Sequence, residues 1–296
     1  MTLLLTALIL LEVAPTRYPI EPRTLRTLYR DAELVVVAKP GAITAVPKRK
    51  DSWVDSKVVL TVERIVKGKP REKEVTVYSA QKVECPSPAR FPEGKTLLLF
   101  LKWSKRLRGY CTSGLSYGAK ELDEPSLEVY LRRLEELSKI PAEPPGAGPS
   151  PWTLDWLVRC IEHPATRWEG AWEFQAVDRY DEPKRPNPLC GRLSKAQLER
   201  IIDVLTTSTI FDLDEYYVLQ IFKDLPHHRF DVYLATELRY RCANGDFEWS
   251  SEMIAMLAER LNIPEGPKVL EELRVADDDA DVRRAVEKFL ELVELK

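Results

Sequence analysis

Residues 57–103 read KVVLTVERIVKGKPREKEVTVYSAQKVECPSPARFPEGKTLLLFLKW, and three segments of this stretch have strand character. From Val58 to Val66, one face carries Val58, Leu60, Val62 and Arg64, and the other Val59, Thr61, Glu63 and Ile65. The first face is apolar as far as Val62, the pattern of a half-buried strand. Gly68 and Pro70 break the run. Glu74 to Ser79 then alternates Val75, Val77 and Ser79 with Thr76 and Tyr78 as a second, shorter strand. Pro92-Glu93-Gly94 is a turn, and Lys95 to Trp103 is a third strand. Its run from Leu97 to Leu101 is continuously apolar, as expected of burial on both faces.

Toward the N-terminus, Thr24 to Asp31 reads as a short helix and Ala32 to Ala38 as a buried strand. Gly41 to Asp51 is a loop bearing Lys48-Arg49-Lys50. Met1 to Leu11 is apolar but too short to span a bilayer. It has the length of a signal-peptide core, with Ala14-Pro15 near a plausible cleavage point, although no cation precedes it and Glu12 ends it. The expectation is export to the periplasm or extracellular space. The alternative is a first element packed on the core of a cytoplasmic protein.

Toward the C-terminus, Tyr110 to Ser113 reads as a fifth strand, and Ser126 as the cap of a helix from Leu127 to Lys139. Pro141 to Pro151 holds five prolines and two glycines, which neither helix nor sheet accommodates; it reads as a linker. Beyond it, helical periodicity recurs in Trp152–His163, Thr166–Gln175, Lys195–Leu205, Asp214–Leu225, Phe230–Cys242, Ser250–Leu261, Pro267–Arg274 and Asp281–Leu295. Asn244-Gly245 is a helix stop. The expected fold class is α+β in two domains: a small β-barrel with flanking helices over 23–140, and an all-α domain over 152–296.

At 296 residues, with 44% hydrophobic and 31% charged residues, the chain has ample material for two soluble cores. Its net charge of −3 divides unevenly. Residues 1–150 carry 25 Lys/Arg against 18 Asp/Glu, and residues 151–296 carry 19 against 29. The first half is basic and the second acidic.

Two resemblances follow from quoted motifs. Asp31-Ala32-Glu33-Leu34-Val35-Val36-Val37, Val62-Glu63-Arg64-Ile65-Val66-Lys67-Gly68 and Phe91-Pro92-Glu93-Gly94-Lys95-Thr96-Leu97-Leu98-Leu99-Phe100 together resemble the netrin-like family over about residues 28–125. That family includes the tissue inhibitors of metalloproteinases. The resemblance implies an OB-type barrel and a disulfide between Cys85 and Cys111. Such a bridge would close a loop of about 26 residues and contribute about 3 kcal/mol. Those inhibitors chelate zinc through an N-terminal cysteine, whereas no cysteine precedes Cys85 here, so their inhibitory chemistry is not implied. Asp277-Asp278-Asp279-Ala280-Asp281-Val282-Arg283-Arg284-Ala285-Val286 resembles the acidic turn and second helix of a HEAT-like repeat.

Catalytic patterns are sparse. The three histidines are His163, His227 and His228, and the last two are adjacent without a spaced third metal ligand. His163 ends a helix beside Pro164, where a cation would favour the dipole. Asp277 to Asp281 lacks the glycine of a calcium loop. Cys160, Cys190 and Cys242 have no CxxC spacing, and Trp168 and Trp172 read as core residues. No cofactor and no catalytic or metal residue is expected. Lys102, Lys105, Arg106 and Arg108 form a basic patch around Trp103. The expected activity is therefore non-enzymatic binding of another protein or a polyanion. A nucleic-acid-binding barrel, or an enzyme with an unrecognised site, is the alternative.

Overall fold

The computed structural model describes residues 22–47, 54–84, 87–144, 147–175, 189–208 and 211–294. The chain divides into two compact units, Met1–Leu127 and Glu128–Lys296. The first is built on strands β1 (Leu34–Pro40), β2 (Thr44–Ala45), β3 (Ser56–Lys67), β4 (Val75–Ser79), β5 (Leu97–Ser104), β6 (Gly109–Thr112) and β7 (Ala119–Glu121). β1 pairs antiparallel with both β3 and β5, and β4 pairs parallel with β6 at Val77 and Tyr110. The sheet order β1-β3-β4-β6-β5 thus returns to β1, giving a closed five-stranded, OB-like barrel. β2 adds to β3, and β7 adds to β5. Two register shifts in β1, at Val35/Val36 and Val37/Ala38, let it bend between its two partners.

The period of two expected from residues 57–103 is the barrel's packing. Val58 and Leu60 point inward with Val75, Val77, Leu97, Leu99 and Leu101, and Val62 packs against them. Beyond Val62 the face opens to solvent at Arg64, as the pattern indicated. In β5 the alternate residues Leu98 and Phe100 are fully buried too, so this strand is covered on both faces. Helix α1 (Leu25–Asp31) packs on β5 and buries Leu25 and Leu28. Thr24 caps it, its hydroxyl accepting the Thr27 N–H. The short β2 and β7 went unread in the sequence; two or three residues carry no usable period.

The second unit is helical. α2 (Glu124–Ser138) starts three residues before the expected position, because Asp123 rather than Ser126 is the cap: its carboxylate accepts the Ser126 N–H at 2.8 Å. Then follow α3 (Pro151–Ile161), α4 (Arg167–Ala171), α5 (Lys195–Thr207), α6 (Leu213–Ile221), α7 (His228–Asn244), α8 (Ser250–Leu261), α9 (Gly266–Arg274) and α10 (Asp279–Glu294). Packing runs from α3 to α4 and α5, from α5 to α7, and then through α8, α9 and α10, with α10 returning to α7. Ser194 opens α5 with a capping box, and Gly245 closes α7 in the left-handed conformation, where Asn244-Gly245 indicated a stop. α6 stops at Ile221, before Pro226, in a tight turn. The expected helix 166–175 divides into α4 and a 3₁₀ turn, Trp172–Phe174.

The buried face of α2 packs inside the second unit. Tyr130 donates to the buried Glu169 at 3.1 Å, and the Trp156 indole N–H donates to the Arg133 carbonyl at 2.8 Å. The proline-rich stretch follows α2, and its described residues are tethered. Glu143 accepts the Ser150 N–H at 3.1 Å, and Arg192 donates to the Pro149 carbonyl at 2.6 Å. No helix among the described residues is long and apolar enough to cross a membrane.

Candidate binding surface

The barrel brings two basic loops to one end. β3 ends at Lys67, and Gly68 turns the chain with φ +78°. A Cβ at Gly68 would lie 2.1 Å from the Glu33 carbonyl oxygen, so only glycine lets the loop press against the start of β1. The loop then folds over the barrel end. The Arg71 backbone N–H donates to Tyr110 Oη at 2.9 Å, and its guanidinium pairs with Glu33 at 2.6 Å. That guanidinium lies 5.6 Å from the Trp103 ring centroid, and Trp103 meets Tyr110 edge-on at 5.1 Å.

The second loop is the β5–β6 turn, residues 105–108. Ser104 Oγ accepts the Leu107 N–H at 3.3 Å, and Arg108 takes the left-handed conformation, φ 51°. Because β4 and β6 run parallel, the residues entering β4 and those entering β6 lie together. A cleft of about 290 Å³ between them is lined by Glu72, Lys73, Glu74, Thr76, Trp103, Arg108 and Gly109.

Of the four residues expected as a patch, Lys105, Arg106 and Arg108 are exposed on this turn. Lys102 is exposed on β5, but an ion pair with Asp31 at 3.6 Å partly offsets its charge. The loop from Gly68 to Glu74 adds exposed Lys69, Arg71 and Lys73. These three were missed because their nearness to residues 105–108 depends on strand order, not on chain distance. The alternating cations of Lys67-Gly68-Lys69-Pro70-Arg71-Glu72-Lys73 were the available signal. Lys48-Arg49-Lys50 lies outside the described residues.

Cys111 is a half-buried free thiol on β6, pushed up in pKa by burial. Cys85, its expected partner, lies outside the described residues. Cys160 on α3 and Cys242 on α7 are buried. Cys190 is half-buried, and burial together with Asp224 raises its pKa to about 11. His163 is not the expected cation: its Nδ1 accepts the Ala165 N–H at 3.2 Å, and burial and nearby arginines hold its pKa below the usual range. Among the described residues, no group of three His, Cys, Asp or Glu side chains is placed to hold a metal ion.

No protein-family model matches this chain, and no curated protein matches it. What stands is the architecture: an OB-like barrel followed by helices.

Proposed function

We propose that this chain is a non-enzymatic binding protein whose barrel end takes an acidic partner, either a carboxylate-rich protein segment or another polyanion. The observation that carries this reading is the meeting of two loops separated by over thirty residues: Lys73 and Arg108 line one cleft, and exposed Lys69, Arg71, Lys105 and Arg106 stand on the same two loops. Glu33 orients Arg71 from one side, and Trp103 supports it from the other. Exposed cations on a rigid scaffold attract an acidic surface and set its orientation. The sequence resemblance supports a netrin-like barrel, and the helical unit supports a HEAT-like array offering further contact area. The apolar stretch from Met1 to Leu11 supports export, and with it a partner outside the cytoplasm.

The test is binding to poly-glutamate and to heparin at about 50 and 200 mM salt, where an electrostatic contact weakens steeply. Lys105→Ala/Arg106→Ala/Arg108→Ala is expected to weaken binding about tenfold or more at low salt, with an unchanged circular dichroism spectrum. Equal binding by the triple variant would remove the basic end from the function. A marked preference for single-stranded DNA, lost in Trp103→Leu, would favour a nucleic-acid ligand instead.

A further inference from the structure

The helical unit carries a second feature that the basic end does not explain. On α6, Leu213, Tyr216 and Tyr217 stand at positions i, i+3 and i+4, on one side of the helix. Leu213 is 48% exposed. Tyr216 stacks on Trp249, with centroids 4.6 Å apart and planes inclined by 22°. Tyr217 lies beside Tyr216 at 5.9 Å and meets Trp172 edge-on at 5.1 Å. Trp172 stacks on Trp168 at 5.6 Å. Five rings from α4, the following 3₁₀ turn, α6 and the start of α8 thus form one connected strip, and all five are half-buried rather than enclosed.

The strip is held in place. Gln175 Nε2 donates to the carbonyls of Ala171 and Tyr217, both at 2.9 Å, and so ties α6 to the end of α4. Trp249 adopts φ 69°, ψ 2°, a left-handed conformation that is costly for a bulky residue. Such strain persists only where the surroundings over-determine it, and it recurs at binding sites.

Its rim is acidic. Burial raises the phenol pKa of Tyr216, and the Glu252 carboxylate adds to the rise. Burial, Tyr216 and the Asp214 carboxylate do the same for Tyr217. Glu252 is exposed, one helical turn beyond Trp249. Aromatic faces and carboxylates both favour a cation, and a guanidinium can stack and hydrogen-bond at once.

We infer that this strip, rimmed by Asp214 and Glu252, is a docking surface for an arginine-rich, extended protein segment. The strip is too long for one small cation. The rings, 4.6 to 5.9 Å apart in succession, offer several stacking positions to the side chains of one extended segment. The surface is chemically opposite to the basic barrel end and stands independently of it.

The experiment uses the full chain, with octa-arginine as the probe and tryptophan fluorescence as the readout. Octa-arginine is expected to bind saturably and more tightly than octa-lysine, because the planar guanidinium stacks on rings. Tyr216→Leu, which leaves net charge unchanged, should weaken it about fivefold, and Glu252→Gln about threefold. Glu252→Gln lies on the exposed surface and tests the site even if Tyr216→Leu fails to fold. Lys105→Ala/Arg106→Ala/Arg108→Ala should leave this binding intact, which separates it from the barrel reading. Equal octa-arginine affinity in Glu252→Gln and in folded Tyr216→Leu would reduce the effect to diffuse charge attraction and overturn the inference. Saturable binding of octa-proline but not of octa-arginine would overturn it as well.

Discussion

The two units treat buried polarity in opposite ways. Among the described residues the barrel's core cluster is aliphatic and aromatic, and its Tyr110 hydroxyl is taken up by the Arg71 N–H. The helical unit buries charge: Arg167 pairs with Glu215, and Arg241 and Glu169 are almost entirely enclosed. The cause is the backbone. A closed sheet pairs its backbone groups strand to strand, so little polarity is left for side chains to satisfy. A helix leaves its last carbonyls unpaired, and several short helices packed together bury those ends. Arginines and hydroxyls fill the gap. Arg260, enclosed against Asp231, donates to the carbonyls of Phe222 and Leu225 just past α6. Arg167 Nε donates to the Ile161 carbonyl at the end of α3, and the Thr166 hydroxyl to that of Cys160.

Substitutions separate the two patterns. The largest effect is expected at the buried pair. Glu215 also accepts from the Ser208 hydroxyl and the Asp212 N–H, and it closes the capping box of α6. Glu215→Ala removes the ion-pair partner of Arg167 and should cost about 4 kcal/mol in urea unfolding. Arg167→Met/Glu215→Leu should recover most of that loss, since no charge is then left buried alone. If the double variant is as unstable as the single one, the pair is not acting as a unit.

Leu99→Ala in the barrel should cost about 3 kcal/mol through lost burial and a cavity, with the same loss in low and high salt. A salt-dependent loss would show that the barrel relies on charge as the helical unit does. The smallest effect concerns His163. Its depressed folded pKa means that the neutral ring, accepting from Ala165, is the favoured form. That contribution is complete above the ordinary histidine range near 6.5 and is lost as pH falls through the lower folded pKa. The melting temperature should drop by about a degree more between pH 7.5 and 5.5 in the parent than in His163→Asn. An identical pH response in both would remove His163 from the acid side of the stability curve.

The same contrast explains what could be read from the residues. Alternation in Val58–Val62 and the unbroken run Leu97–Leu101 announced the barrel, because a period of two and full burial leave plain marks on a sequence. Helix caps at Ser194 and the stop at Gly245 are equally local signals. Asp123 was passed over as a cap because Ser126, three residues later, offers the same chemistry on the same turn. The sites depend on distance in space. Lys73 and Arg108 meet through the parallel β4–β6 contact, and Trp172, Tyr217, Tyr216 and Trp249 meet through helix packing. Neither juxtaposition leaves a period or a spacing to count. The buried Arg167–Glu215 pair was hidden for the same reason: its members are 48 residues apart and look like surface charges.

The placement of β1 between β3 and β5 also bears on how the chain emerges from the ribosome. Val36 pairs with Ile65 on one side and with Leu99 on the other, and the seam closes only when Tyr110 reaches Val77. Until the residues of β6 have left the exit tunnel, β1 lacks its place in a finished barrel and the edges of β4 and β5 stand open. Such edges invite pairing with a neighbouring chain. The helices that follow make most of their contacts with near neighbours in sequence and can fold as they appear. A nascent chain halted before Thr112 is therefore the one most exposed to aggregation, and the helical segment, made after it, emerges with the barrel already closed.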